Sequence, residues 1–199
     1  EALGEDQQFA ATPFAPRCTK DLIEEGLFAF RRDLFTRLDL VFFDTTSIYF
    51  EGEGGETLGQ YGHSKDHRPD LKQLLFILTV TADGGVPLHF RAASGNVTDD
   101  TTHRDTWNLL CELTGRRDFL YVADSKLATR ENMAYLHQRQ GWFITVLPKT
   151  RSEDAAFRSS VSREQVTWRL LWEKTDEEGE VLDRYSVCDQ EATSAEGYR

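Results

Sequence analysis

The stretch Leu40-Val41-Phe42-Phe43-Asp44-Thr45-Thr46-Ser47-Ile48-Tyr49-Phe50 decides how this chain is read. Aromatic and β-branched residues dominate it, and that composition predicts a β-strand. One carboxylate, Asp44, interrupts the run. A charge among apolar neighbours is costly unless it is paired or holds a cation. Working outward, Leu74 to Thr81 (LLFILTVT) predicts a second strand and Val86 to Ala92 a third. The turn Ala82-Asp83-Gly84-Gly85 between them is a hairpin signal. Upstream, Leu22, Ile23, Leu27, Phe30, Leu34 and Leu38 recur at threes and fours and predict a helix over 21–38.

Downstream, the segment Asp99 to Thr102 offers caps for a helix carrying Trp107, Leu110, Cys111 and Leu113 that stops at Gly115. Phe119 to Asp124 is a fourth strand, short and apolar, ending in a carboxylate. A second helix is predicted over 128–140, with Met133, Leu136 and His137 on one side. Trp142 to Leu147 is a fifth strand, closed by Pro148. The predicted order is strand, strand, strand, helix, strand, helix, strand, an α/β chain. Two further strands, Val166 to Trp172 and Val181 to Val187, follow an abrupt change of character near residue 151. Trp107, Trp142, Trp168 and Trp172 all lie in periodic or strand segments and are expected in the core.

Composition sets the outer limits. The chain has 199 residues, is 39% hydrophobic and carries a formal net charge of -11. That apolar content supports a buried core and argues against an acidic disordered tail. No run approaches the ~20 apolar residues of a membrane span, so no membrane partner is expected. Cys18, Cys111 and Cys188 form neither a disulfide framework nor a zinc pattern, which favours a reducing, cytoplasmic setting. Net charge is -3 over residues 1–40, -3 over 41–150 and -5 over 151–199. Nucleic-acid-binding domains are usually basic. A near-balanced middle and an acidic, cation-holding site reconcile the count with a nucleic-acid substrate.

Asp44 and Asp124 are the carboxylates that could carry chemistry. Strand ends are where parallel sheets commonly place functional groups. If the two strands are neighbours, the carboxylates repel unless a divalent cation lies between them. Oxygen donors suit Mg²⁺ or Mn²⁺. Two such ions roughly 4 Å apart activate a nucleophile and stabilise a leaving oxygen in phosphoryl transfer. The plainer alternative is that a strand-end aspartate only forms a turn.

The loop Tyr61-Gly62-His63-Ser64-Lys65-Asp66-His67-Arg68-Pro69-Asp70 could contact a phosphate backbone, and its alternative is a solvated surface turn. His63 and His67 have the spacing of a helical metal pair, but Gly62 and Pro69 speak against a helix there. Neither a Walker-type phosphate loop nor a Gly-x-Ser-x-Gly elbow is present.

Four motifs in order are Val41-Phe42-Phe43-Asp44-Thr45-Thr46-Ser47, Tyr61 to Leu71, Gly95-Asn96-Val97-Thr98-Asp99 and Val122-Ala123-Asp124-Ser125-Lys126-Leu127. Together they resemble DDE transposases of bacterial insertion sequences, in the branch with a β-strand insertion in the catalytic domain. The resemblance runs from about 38 to 150. It implies an RNase H-like fold: three antiparallel strands, then helix, strand, helix, strand, with the first and fourth strands adjacent. It further implies residues 39–150 as the catalytic core and 151–199 as the start of the insertion. Residues 1–38 would be a helical lead-in, the remnant of a DNA-binding region.

In that family Asp, Asp and Glu hold two Mg²⁺ ions. Asp44 and Asp124 match the first two positions. The third has no match, because Glu191 and Glu196 come too early, so the chain reads as a truncated fragment with little activity alone. Lys65, Arg68 and Lys126 would contact phosphates. Asn96 and Asp99 would order the turn before the helix. The implied partners are transposon-end and target DNA, with a homodimer for the full-length protein. Two other classes compete: a non-catalytic DNA-binding or interaction protein, and a phosphatase with Asp44 as nucleophile. Thr46 stands where that phosphatase would need a second aspartate.

Overall fold

The computed structural model describes residues 19–30, 38–52, 57–62, 67–163, 166–194 and 197–198. The chain divides into two compact units, Glu1–Val146 and Leu147–Arg199. The first holds α1 (Thr19–Phe30), β1 (Leu40–Tyr49), β2 (Gln73–Thr81), β3 (Pro87–Ser94), α2 (Asp99–Thr114), β4 (Leu120–Ala123), α3 (Arg130–Gln138) and β5 (Trp142–Thr145). Its five strands form one sheet in the order β3-β2-β1-β4-β5. β1 pairs antiparallel with β2, and β2 with β3, while β1, β4 and β5 run parallel. This is the mixed sheet, with β1 beside β4, that the sequence led one to expect. Residues 31–37, the last part of the predicted first helix, lie outside the described residues.

Strand alternation divides the sheet into two unlike faces. Along β1, Val41, Phe43 and Thr45 are buried while Phe42, Asp44 and Thr46 are exposed. The buried set packs with Ile77, Tyr121, Trp107, Leu110 and Leu136 into the core. Burying each large side chain of this kind contributes about 2 kcal/mol. α2 and α3 supply that cover; α2 ends at Gly115 in the left-handed conformation (φ 66°). The Thr129 hydroxyl caps α3 by accepting from the Asn132 N–H.

The opposite face is apolar, and its side chains are half-buried or exposed. Register places Phe42, Asp44 and Ile48 with Leu78, Phe90, Val122, Trp142 and Ile144 on it. Trp142 is 67% exposed and Phe42 41%. Trp142 therefore departs from the expected core position. The first residue of the edge strand β5, it projects from that face. His137 also departs from its expected side, for it is exposed while Met133 and Leu136 are buried.

The outer edge of β3 would leave backbone groups unpaired, and α1 closes it. Glu24 accepts from the Phe90 N–H at 3.2 Å, and the Lys20 ammonium donates to the Phe90 carbonyl at 2.8 Å. A second Glu24 oxygen lies 2.7 Å from Nδ1 of the buried His89. One turn of helix thus does for Phe90 what a sixth strand would do.

The second unit holds α4 (Ser152–Ser162) and a hairpin of β6 (Arg169–Thr175) and β7 (Val181–Val187). The two strands were expected; α4 was not. It buries no residue, so it has no apolar stripe to betray it. Glu153 and Asp154 in its first turn and an Asp154–Arg158 ion pair at 2.7 Å stabilise it instead. Trp168 and Trp172 are about half exposed, again unlike the expected core placement. A two-stranded hairpin has no second layer to bury them.

Candidate metal centre at mid-β1 and the carboxyl end of β4

The register between β1 and β4 runs Leu40↔Leu120, Val41↔Tyr121, Phe42↔Val122. Two steps further, the same alignment sets Asp44 opposite Asp124, one residue past the end of β4. Opposed residues of parallel strands share a face, as the buried pair Val41 and Tyr121 illustrates. Asp44 lies on the exposed face of β1, in the row that carries Phe42, whereas Asp124 follows the last residue of β4 and lies near enough to the buried His103 and Tyr121 to act on both electrostatically. Adjacent strands lie about 4.8 Å apart, within reach of a single ion for two carboxylates.

Both aspartates are exposed, so the cost of burying a charge that first singled out Asp44 does not arise. Asp44 Oδ1 accepts from the Thr45 N–H at 2.8 Å, and Asp124 Oδ1 accepts from the Lys126 N–H at 2.9 Å. Each carboxylate is thus oriented through one oxygen. The chemistry of the pair, two hard oxygen donors facing solvent, fits Mg²⁺ or Mn²⁺. Among the described residues no group of three or more His, Cys, Asp or Glu side chains could hold a metal. An ion held by Asp44 and Asp124 would need water or substrate oxygens for its remaining ligands.

The other predicted contacts fall as follows. Lys126 is exposed in the turn that Asp124 closes. Arg68 lies beyond the far end of β1, where its guanidinium donates to both oxygens of Asp70 at 3.0 and 2.9 Å. A phosphate there would have to compete with that carboxylate. Lys65 and His63 lie outside the described residues. His67 adopts a left-handed conformation (φ 57°), unlike a residue of an α-helix.

The loop is fastened to the sheet by backbone. Gln60 and Gln73 exchange hydrogen bonds at 3.0 and 2.9 Å, and the Gly95 N–H donates to the Leu58 carbonyl at 3.0 Å. The Gln73 side-chain amide donates to the Gly95 carbonyl at 2.9 Å. This packing explains two glycines. A Cβ on Gly62 would lie 1.8 Å from the Gly95 carbonyl oxygen, and one on Gly95 would lie 1.9 Å from that of Gln73.

Sequence reasoning missed the layer beneath the aspartates. His103 on α2 is fully buried, its ring 4.4 Å from that of Phe43, which precedes Asp44. Its Nδ1 lies 3.2 Å from the hydroxyl of Tyr121, three residues before Asp124. Burial pushes the imidazole down to about 4, against the pull of Asp124, Asp99 and Asp100. Burial likewise raises the Tyr121 hydroxyl well above its ordinary value. A neutral histidine and a neutral tyrosine thus floor both aspartate-bearing strands. The signal was available: counting back from Trp107 by four gives His103 on the same helical stripe.

No protein-family model and no curated protein matches the sequence. Solved structures similar to it include the catalytic domain of the Mos1 mariner transposase, at 11% identity and TM-score 0.37, over 82% of this chain and 74% of that one. The Mos1 mariner paired-end complex with Mn matches at 10% and 0.36, over 83% and 57%. The Mos1 strand transfer complex matches at 12% and 0.39, over 82% and 49%. The chain spans about half the length of the transposase chains in those two complexes. The likeness is loose and does not reach individual residues.

Proposed function

We propose that this chain is a transposase-type catalytic domain of the DDE class, built for metal-dependent DNA strand cleavage and strand transfer. The observation that carries the reading is the β1/β4 register, which supports Asp44 and Asp124 as co-ligands of one divalent ion. The four sequence motifs, in order, support the DNA substrate. A bound Mg²⁺ or Mn²⁺ would polarise the scissile phosphate and lower the pKa of an attacking water.

The chain's own residues do the rest. Asp44 and Asp124 present one oxygen each, the second being held by a backbone N–H. Lys126, in the turn beside Asp124, is placed to meet a non-bridging phosphate oxygen. Arg68, once released from Asp70, offers a bidentate fork to a neighbouring phosphate. Lys65 belongs to the same loop and is proposed as a further phosphate contact. No residue of this chain is assigned as a third acidic ligand. Two carboxylates hold an ion more weakly than three, so nicking by this chain is expected to be slow and to favour Mn²⁺.

The experiment is a plasmid-nicking assay with Mn²⁺, comparing wild type with Asp124→Asn. Nicking that disappears with the substitution supports the reading. Nicking of equal rate in both would place the chemistry elsewhere. A chain that binds DNA, yet never nicks it with any divalent ion, supports a non-catalytic DNA-binding protein instead.

A further inference from the structure

Between the C-terminal ends of α2 and α3 lies a cleft of about 560 Å³ that the cleavage chemistry does not use. Trp107, Tyr135, Glu112 and three arginines, Arg116, Arg117 and Arg139, line it. Arg116 and Arg117 directly precede β4, and Arg139 lies just before β5. Because β1, β4 and β5 are parallel, the cleft sits at the amino ends of the strands. Asp44 and Asp124 are at the other pole.

Its charge balance is unusual for so acidic a chain. Three guanidinium groups and the carboxylate of Glu112 line the cleft, with Asp118 and Asp39 beside Arg116. Arg116 is engaged, at 2.7 Å from Asp118 and 3.8 Å from Asp39. Arg117 and Arg139 make no ion pair among the described residues. Arg139 is nonetheless held in place, its guanidinium 3.5 Å from the centre of the Tyr135 ring. Asn108 in turn fixes Tyr135, donating to its hydroxyl at 2.7 Å. Stacking of this kind occupies the face of a guanidinium and leaves its edge donors available. The indole N–H of Trp107 is also buried without an acceptor among the described residues.

Two features limit what the cleft can do. Burial pushes the Cys111 thiol up to about 12, so it stays protonated and offers neither a nucleophile nor a metal thiolate. Two helix C-termini also meet here, and Arg116 and Arg139 offset their partial negative charge. Arg117, exposed and outside both helices, is not accounted for in that way.

We propose that this cleft binds a backbone phosphate of duplex DNA, giving the domain a second DNA contact at the pole opposite the two aspartates. The inference rests on the DNA reading above, but not on the metal chemistry. Guanidinium edges match phosphate oxygens bidentately, and the wall of Tyr135 and Trp107 excludes water from one side of the pair.

The test measures binding of a labelled random-sequence duplex to the full chain by fluorescence anisotropy over a range of salt, with EDTA present. Arg117→Gln and Arg139→Gln should each lower the salt slope by about 1, and the double variant by about 2. Arg139→Lys, which keeps the charge, should restore most of the slope. Nicking with Mn²⁺ is assayed separately on the same arginine variants, so that loss of nicking and loss of cleft binding are read apart. A double variant that folds by circular dichroism and keeps the wild-type slope would overturn the proposal. So would calorimetry in which inorganic phosphate binding depends on the two arginines while duplex binding does not, since the cleft would then take small anions only.

Discussion

The imidazole of His103 lies 3.2 Å from the phenol oxygen of Tyr121, joining α2 to the strand that ends just before Asp124. The ring is wholly buried and its folded-state value is about 4, against 6.5 for the free side chain. In the unfolded chain it takes up a proton near pH 6.5; in the folded protein only near 4. Between those values the unfolded state binds more protons, so stability falls as pH drops through the window, by about 3 kcal/mol in all. Urea unfolding at several pH values checks this. His103→Gln should flatten the profile between about pH 6.5 and 4, and an equally steep profile in the variant would contradict the assignment.

Glu24 predicts a separable effect at the β3 edge. Burial works to raise its carboxyl, but the hydrogen bonds and charges of His89 and Lys20 together hold it below the ordinary glutamate range. Its stabilisation is present above the unfolded value and is lost as pH falls through the depressed folded one. Glu24→Ala should cost about 1–3 kcal/mol and expose the Phe90 amide, which donates to Glu24. Amide exchange at Phe90 should speed up while the core strand β2 keeps its protection.

The close backbone approach at Gly62 and Gly95 predicts a sharp contrast among glycines. Gly95→Ala forces a Cβ to 1.9 Å from a carbonyl oxygen and should destabilise by at least about 2 kcal/mol. Gly26, on α1, has nothing within 4 Å of an added Cβ. Gly26→Ala should be neutral or stabilise by up to about 1 kcal/mol. Denaturant midpoints of the two variants test the pair, and equal midpoints would refute the packing.

What the sequence disclosed depended on the kind of force at work. β1, β2 and α2 were legible because burial of one face imposes a period, and period is visible in letters. α4 was invisible because capping charges and one ion pair hold it, and these leave no apolar repeat. Trp142 and Trp172 misled because bulk and strand propensity do not reveal whether a second layer covers the strand. Asp44 was singled out for a reason that does not apply, since it is exposed rather than buried. Asp124 was singled out because a short apolar run ends there. The floor beneath them, His103 on Phe43 and Tyr121, needed the strand register before its role could be seen.

The central claim is that Asp44 and Asp124 hold one divalent ion together. Calorimetric Mn²⁺ titration of wild type, Asp44→Asn, Asp124→Asn and the double variant tests it most directly. Co-ligation predicts that either single substitution removes most of the binding and that the second adds little further loss. Independent, additive losses, or single variants that bind Mn²⁺ as wild type does, would contradict it.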